Sequence, residues 1–372
     1  MDKVKTMKKT LLKIIILFSI VFALVSCSDP IFFIVHEEIP ILKPFIDGSP
    51  TNFVILGDDI YVASGKKIFI YRKNTNKWAD LGKLDGRIGG LAATNSSLYA
   101  LYLHNDSNDG RIRNCNSGSD LNLSNVQSIH ASGDFLFACV RNDNKYAIFY
   151  INNSSPEIFK NIADSNSELR GVAFDGTYYY LCVNEGIYYV NKSQIDTASN
   201  LQVLGENLDF TGIIELKNNY VAAITNNGIL YEITNATIIE AAKFSDKRFS
   251  TGALALWCRD TDTMPSLLLV GRREIFFSTS SNYTNGYVEI ALDTTSGKIL
   301  SGAGFNDPGK VTPSSIDNYD RYVSSLGKKV INHMIQAPKD IDEKMTLFAS
   351  TQQEGVWSYK DRGKGELWNA ER

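Results

Sequence analysis

The chain has 372 residues, 44% of them hydrophobic and 11% aromatic, with a formal net charge of −3. That length is ample for a sizeable core, and the mildly acidic balance argues against nucleic acid or anionic lipid as the main partner. Aromatic strands separated by Asn-rich turns are the composition of an all-β protein.

At the N-terminus, Lys3, Lys5, Lys8, Lys9 and Lys13 precede an apolar run at residues 14–25, IIILFSIVFALV. About a dozen apolar residues are too few to span a bilayer as a helix and fit the core of a secretory leader. The next residues, Leu24, Val25, Ser26 and Cys27, resemble the lipobox of bacterial lipoproteins. That resemblance implies a signal peptide over residues 1–26, cleavage before Cys27 and acylation of Cys27, palmitate included. The membrane is then reached through an N-terminal lipid rather than a helix. The expected location is the cell envelope, on the outer membrane or the periplasmic face of the inner membrane. Cleavage would remove five lysines and Asp2, leaving 346 residues with a formal charge of −7.

Residues 27–49 form a lead-in with Pro30, Pro40 and Pro44. A solvated tether would be polar, whereas this stretch is rich in Phe and Ile, so it is expected to dock on the domain as an extra edge strand.

From residue 50 onward one device repeats. Residues 220–233, YVAAITNNGILYEI, are two apolar strands joined by Asn226, Asn227 and Gly228, residues that tolerate the positive φ of a tight hairpin. Residues 60–71 (IYVASGKKIFIY), 178–190 (YYYLCVNEGIYYV) and 346–359 (TLFASTQQEGVWSY) follow the same plan. The second strands of successive units start at Ile60, Leu98, Leu136, Tyr179, Tyr220, Leu268 and Thr346, at spacings of 38, 38, 43, 41, 48 and 78 residues. All but the last spacing are near the length of a four-stranded propeller blade. Several strands are continuously apolar, as expected where both faces are covered by neighbours. The pattern predicts a β-propeller of seven four-stranded blades over residues 50–372; an eight-bladed ring or two β-sandwiches also fit the count. GYVEIAL, ending at Leu292, is read as the fourth strand of the sixth unit. The long spacing then reads as a loop and short helix insertion at about residues 294–328, between blades six and seven. It would emerge on the face of the turns between second and third strands, where Asn184, Glu185, Asn226, Asn227, Arg272, Arg273 and Glu354 also lie.

Two short stretches resemble known propeller hairpins. YRKNTNKWADLG at residues 71–82 is similar to kelch-type blades, and EGVWSYKDRGKGELW at residues 354–368 is similar to the Asp-box hairpin of sialidase-like propellers, with one extra residue before Trp368. Both imply fold rather than activity. The whole plan of lipobox, Pro-rich lead-in, degenerate blades and late insertion resembles β-propeller lipoproteins of spirochaetes, which implies an envelope location.

Chemical motifs are scarce. There is no GxSxG, no HExxH and no phosphate-cradling Gly loop, and Cys115, Cys139, Cys182 and Cys258 show no metal-ligand spacing. Cys139 and Cys182, at like places in LFACV and YLCVN, read as free buried thiols. Of His36, His104, His130 and His333, the last two fall on first strands and should face the channel as hydrogen-bonded residues rather than metal ligands. Asp106, Asn108, Asp109 and Gly110 look like a calcium loop without its bidentate Glu, a pattern that Asn/Asp-rich turns produce by default. Neither metal nor cofactor is expected. The reading is a lipid-anchored envelope module that binds a protein or glycan without catalysis, with Arg272, Arg273, Tyr319, Arg321, Tyr322 and Glu354 as candidate contacts. The alternative is a glycan-directed hydrolase or lyase with its site at the channel mouth, for which two carboxylates about 5 to 10 Å apart would be needed.

Overall fold

The second strand of each sheet is largely apolar and buried, and the described outermost strands are more open to solvent. The computed structural model describes residues 45–104, 109–152, 159–195, 201–244, 252–258, 264–271, 287–300, 329–338, 345–360 and 368–371. Blade one is β1 (Val54–Leu56), β2 (Asp59–Ser64), β3 (Lys67–Arg72) and β4 (Lys77–Lys83). Blade two is β5 (Arg87–Ala93), β6 (Leu98–Leu103), β7 (Gly110–Asn114) and β8 (Ser119–Asp120). Blade three is β9 (Val126–Ser132), β10 (Phe135–Asn142), β11 (Lys145–Asn152) and β12 (Phe159–Ser165). Blade four is β13 (Gly171–Phe174), β14 (Tyr178–Val183), β15 (Gly186–Asn191) and β16 (Gln202–Leu204). Blade five is β17 (Phe210–Glu215), β18 (Val221–Thr225), β19 (Ile229–Thr234) and β20 (Thr237–Lys243). Blade six contains β21 (Leu254–Trp257), β22 (Leu267–Gly271) and β23 (Tyr287–Ala291). Blade seven is β24 (Ile331–Gln336), β25 (Thr346–Thr351), β26 (Gly355–Lys360) and β27 (Asn369–Ala370). Each blade is an antiparallel meander in sequence order.

The second strands are the ones anticipated from sequence. β6 and β18 are buried nearly throughout, while the outer strand β20 is largely open to solvent. In the β18–β19 turn, Gly228 takes φ +83, and neither Asn226 nor Asn227 takes a positive φ. One strand assignment changes. GYVEIAL is not a fourth strand: β23 pairs directly with β22, in the third position. After a turn stapled by the Asp293 carboxylate, residues 298–300 return along it through the Leu292–Ile299 bridge and occupy the fourth position. The described start of the 294–328 segment is therefore part of blade six, and residues 301–328 lie outside the described residues.

What makes these sheets a ring is seven apolar seams, one between each pair of neighbours. Tyr99, Leu101 and Ile112 of blade two pack on Ile129, Leu136 and Ile151 of blade three, and equivalent clusters join blades one and two, three and four, four and five, five and six, and six and seven. The closing seam sets Phe53, Ile60, Tyr71 and Trp78 of the first blade against Phe348 and Val356 of the last. Phe348 lies 4.8 Å from the Tyr71 ring and 5.2 Å from the Trp78 ring, both edge-on, the arrangement aromatic quadrupoles prefer. Backbone bonds reinforce it: Phe45 N donates to Glu371 O at 2.9 Å, and Gly355 N donates to Gly48 O at 2.9 Å. The described end of the lead-in thus docks on blade seven. Among the described residues no cysteine is disulfide-bonded: Cys139, Cys182 and Cys258 are buried thiols, and Cys115 is a half-buried one.

Candidate functional site

The first strands of the seven blades converge on the ring axis and enclose a central cavity of about 1380 Å³. Small residues permit that convergence. A Cβ on Gly252 would meet Thr211 O at 1.8 Å, so the seam between blades five and six closes only with glycine there.

Polar side chains of the wall are tied to neighbouring blades. Asn52 donates through Nδ2 to Leu91 O at 2.7 Å and accepts from Leu91 N at 2.9 Å, clamping blade one to blade two. Ser128 Oγ donates to Leu169 O at 2.7 Å, and His130 Nε2 lies 3.1 Å from the same carbonyl, joining blade three to blade four. His333 Nδ1 accepts from Phe53 N at 3.3 Å across the closing seam. Glu215 Oε1 accepts from Ser132 Oγ at 2.7 Å and from Phe174 N at 3.0 Å, so one carboxylate holds three blades together. Burial pushes His130 down to about 4; burial, assisted by repulsion from His130, does the same to His333. Both rings are neutral at pH 7, and each has a backbone partner, as expected of channel residues.

Just outside the wall, the buried Asp175 accepts four hydrogen bonds. Its Oδ1 accepts from Thr177 N and Tyr178 N at 2.8 and 2.7 Å, and its Oδ2 accepts from Tyr180 Oη at 2.6 Å and Asn235 N at 2.9 Å. Tyr180 Oη in turn accepts from Ala236 N at 2.9 Å. Asn235 and Ala236 have φ +46 and +58, a strained turn of blade five held by a side chain of blade four.

The cavity has two ends. Where the first strands begin, the connections entering each blade meet the turns between second and third strands. Glu185, in the β14–β15 turn, accepts from Asn166 N at 2.9 Å and Ser165 Oγ at 3.0 Å; Asn226 N donates to Asp209 O at 2.8 Å. Glu354 is ion-paired with Lys329, whose Nζ also sits 4.8 Å from the centre of the Trp357 ring. These pairs establish the shared face expected from topology, and we call it the insertion face. Glu354 lies there, engaged by Lys329. Cys27, Arg272, Arg273, Tyr319, Arg321 and Tyr322 lie outside the described residues.

At the insertion-face mouth, the described charged lining residues are Arg87, Glu168 and Arg170. Burial raises the Glu168 carboxyl, against the opposing pull of Arg170 and a hydrogen bond with Ser128. At the opposite mouth stand Glu215 and Lys217. Among the described residues no three His, Cys, Asp or Glu side chains gather as a metal site. Asp109 Oδ1 accepts from Asn125 N at 2.9 Å and its Oδ2 from Arg111 Nε at 3.2 Å, so this member of the calcium-like loop serves as a backbone staple. Asn52, Asp175 and Glu215 were not singled out from sequence; the single prior hint is the turn-forming Asp175-Gly176 pair.

No family model matches the chain, and no curated protein does either. Solved structures do. PorZ, an essential bacterial surface component of the type-IX secretion system of Porphyromonas gingivalis, aligns at TM-score 0.51 and 10% identity, covering 89% of this chain and 39% of that one. The extracellular domain assigned to a one-component system of B. thetaiotaomicron aligns at TM-score 0.53 and 14% identity, covering 83% and 38%. Virginiamycin B lyase from Staphylococcus aureus aligns at TM-score 0.53 and 10% identity, covering 85% and 96%. The chain therefore spans well under half the length of the first two. At these identities the likeness is one of fold, and with seven blades and seven seams it makes the chain a seven-bladed β-propeller.

Proposed function

We propose that this protein is a lipid-anchored propeller of the cell envelope that acts as an interaction module for an envelope protein or glycan, without catalysis. The observation that carries the reading is the use of the cavity's polar groups. Asn52, Ser128, His130, Glu215 and His333 are engaged in blade-to-blade bonds, which builds a rigid ring around an open mouth rather than a reactive constellation. Two of the similar propellers are described as a bacterial surface component and an extracellular domain, which supports a role outside the cytoplasm. The lipid anchor rests on the lysine-rich leader and the Leu24–Cys27 motif. Substituting Cys27→Ser should abolish metabolic incorporation of palmitate, and undiminished labelling would remove the anchor from the proposal.

The hydrolase alternative asks for paired carboxylates. Glu168 precedes β13 and Glu215 bonds the far end of β13 at Phe174. The six residues from Glu168 to Phe174 span roughly 15 to 20 Å when extended, too far for two acids acting across one glycosidic bond.

The experiment is capture from intact cells by crosslinking and pull-down, using the whole protein and a version with residues 301–325 replaced by a Gly/Ser linker. Residues 298–300 stay, because they complete blade six. A protein or glycan captured by the first and lost by the second, both folded, supports a binding role at the insertion face. Capture of nothing by the whole protein contradicts the module reading.

A further inference from the structure

The insertion-face mouth carries a charge pattern that the wall does not. Arg87 opens β5 and Arg170 immediately precedes β13; both are exposed, both line the cavity, and neither is ion-paired among the described residues. Their heights follow from the bonds at the far ends of the strands. Asn95 N donates to Gly133 O at 2.9 Å, while Ser132 Oγ and Phe174 N converge on Glu215. Counting back along the strands sets Arg87 near Val126 and Arg170 near Ser128, on either side of Gln127. That is an axial offset of about 7 Å, two residues of an extended chain, with blade three between the two arginines. With Glu168 beside Arg170, the described charges at this mouth are two positive and one negative, a net positive lining on a chain of net charge −3.

A second cavity, of about 540 Å³, opens between blades two and three and shares Gly89, Leu101, Leu103 and Gln127 with the first. Arg141 lies on it, its Nε donating to Asp143 O at 3.3 Å. A β-bulge between Ile88 and Gly90 leaves Gly89 without a register partner on β6, and Gly89 is exposed two residues from Arg87. A glycan site would be expected to offer an aromatic face to a sugar ring. Phe53, the one Phe, Tyr or Trp among the described lining residues, is 2% exposed and packed against Trp78 and Phe348. Two guanidiniums against one carboxylate, beside a bulged and exposed backbone, suit acidic side chains on a polypeptide.

We propose that this mouth binds an acidic peptide segment of a partner protein, with its carboxylates on Arg87 and Arg170 and its backbone against Gly89. The proposal rests on the interaction-module reading and names its partner class.

The test is fluorescence anisotropy of the whole protein with a labelled pentaglutamate peptide, with oligogalacturonate and inorganic phosphate as competitors. The variants are Arg87→Gln, Arg170→Gln, the double variant, and Lys217→Gln at the opposite mouth. Losing one charge-assisted contact should weaken peptide binding about tenfold, and the double variant should weaken it further. Lys217→Gln should leave it unchanged, and all variants should melt with the wild type. Undetectable peptide binding, binding untouched by the double variant, or tighter binding of oligogalacturonate or phosphate would overturn the proposal. Capture from cells separates the two levels. A partner held equally by wild type and double variant sinks the peptide site and spares the module, whereas capture of nothing sinks the module itself.

Discussion

The wall of the channel and its insertion-face mouth use polar side chains in opposite ways. Along the wall, Asn52, His130, Glu215 and His333 each have a partner on another blade. At the mouth, Arg87 and Arg170 line the same cavity with no ion pair among the described residues. Wall residues should therefore govern stability with little direct bearing on binding, and mouth residues the reverse.

The largest expected effect is at the closing seam. Phe348→Ala removes a fully buried ring between Tyr71 and Trp78 and should cost about 3 to 5 kcal/mol in urea unfolding. A loss under about 1 kcal/mol would mean that this seam does not hold the ring. Next is Asp175→Ala, which strips partners from Tyr180, Asn235 and two further amides and should cost about 3 kcal/mol. If the protein melted unchanged, the knot between blades four and five would carry no stability.

Acid should loosen the wall at the seam between blades three and four and again at the closing seam. His130 and His333 are held at about 4 by burial, below the ordinary 6.5, so the unfolded chain binds more protons between those values. Their contribution is intact above about pH 6.5 and is lost as pH falls toward 4. Because both rings border the cavity, solvent screening reduces the effect to about 1 to 2 kcal/mol each. The double variant His130→Gln, His333→Asn should flatten the change in unfolding free energy between pH 7 and pH 4.5; an unchanged slope would assign the acid sensitivity elsewhere. A smaller effect of opposite sign is expected at Ala236, whose φ of +58 suits glycine. Ala236→Gly should stabilise by about 0.5 to 1 kcal/mol, and a loss instead would mean that the turn is not strained. Smallest of all, Arg87→Gln and Arg170→Gln should move stability by less than about 0.5 kcal/mol.

The seven second strands were legible in sequence because strands such as LYALYL and FLFACVRN are apolar on both faces, a signal that needs no knowledge of partners. The shared face of turns and connections followed from strand alternation, which is why Glu354 and Glu185 fell where expected. Blade six was misread by one strand. YVEIA is as apolar as a middle strand because it is one, and its outer partner at residues 298–300 is too short to show a period. The staples left no trace: Asn52 meets a residue 39 positions away, Asp175 one 60 away and Glu215 one 83 away, separations no local pattern encodes. Arg87 and Arg170 could be counted in the sequence, but only the closed ring sets them at one mouth.

The most direct measurement is site-specific photo-crosslinking in intact cells, with a photoreactive amino acid placed at Gln127 in the insertion-face mouth or at Asn95 in the opposite one. The account predicts a discrete protein adduct from position 127 and none from position 95. Adducts from position 95 alone, or equal adducts from both, would contradict a binding site at the insertion face.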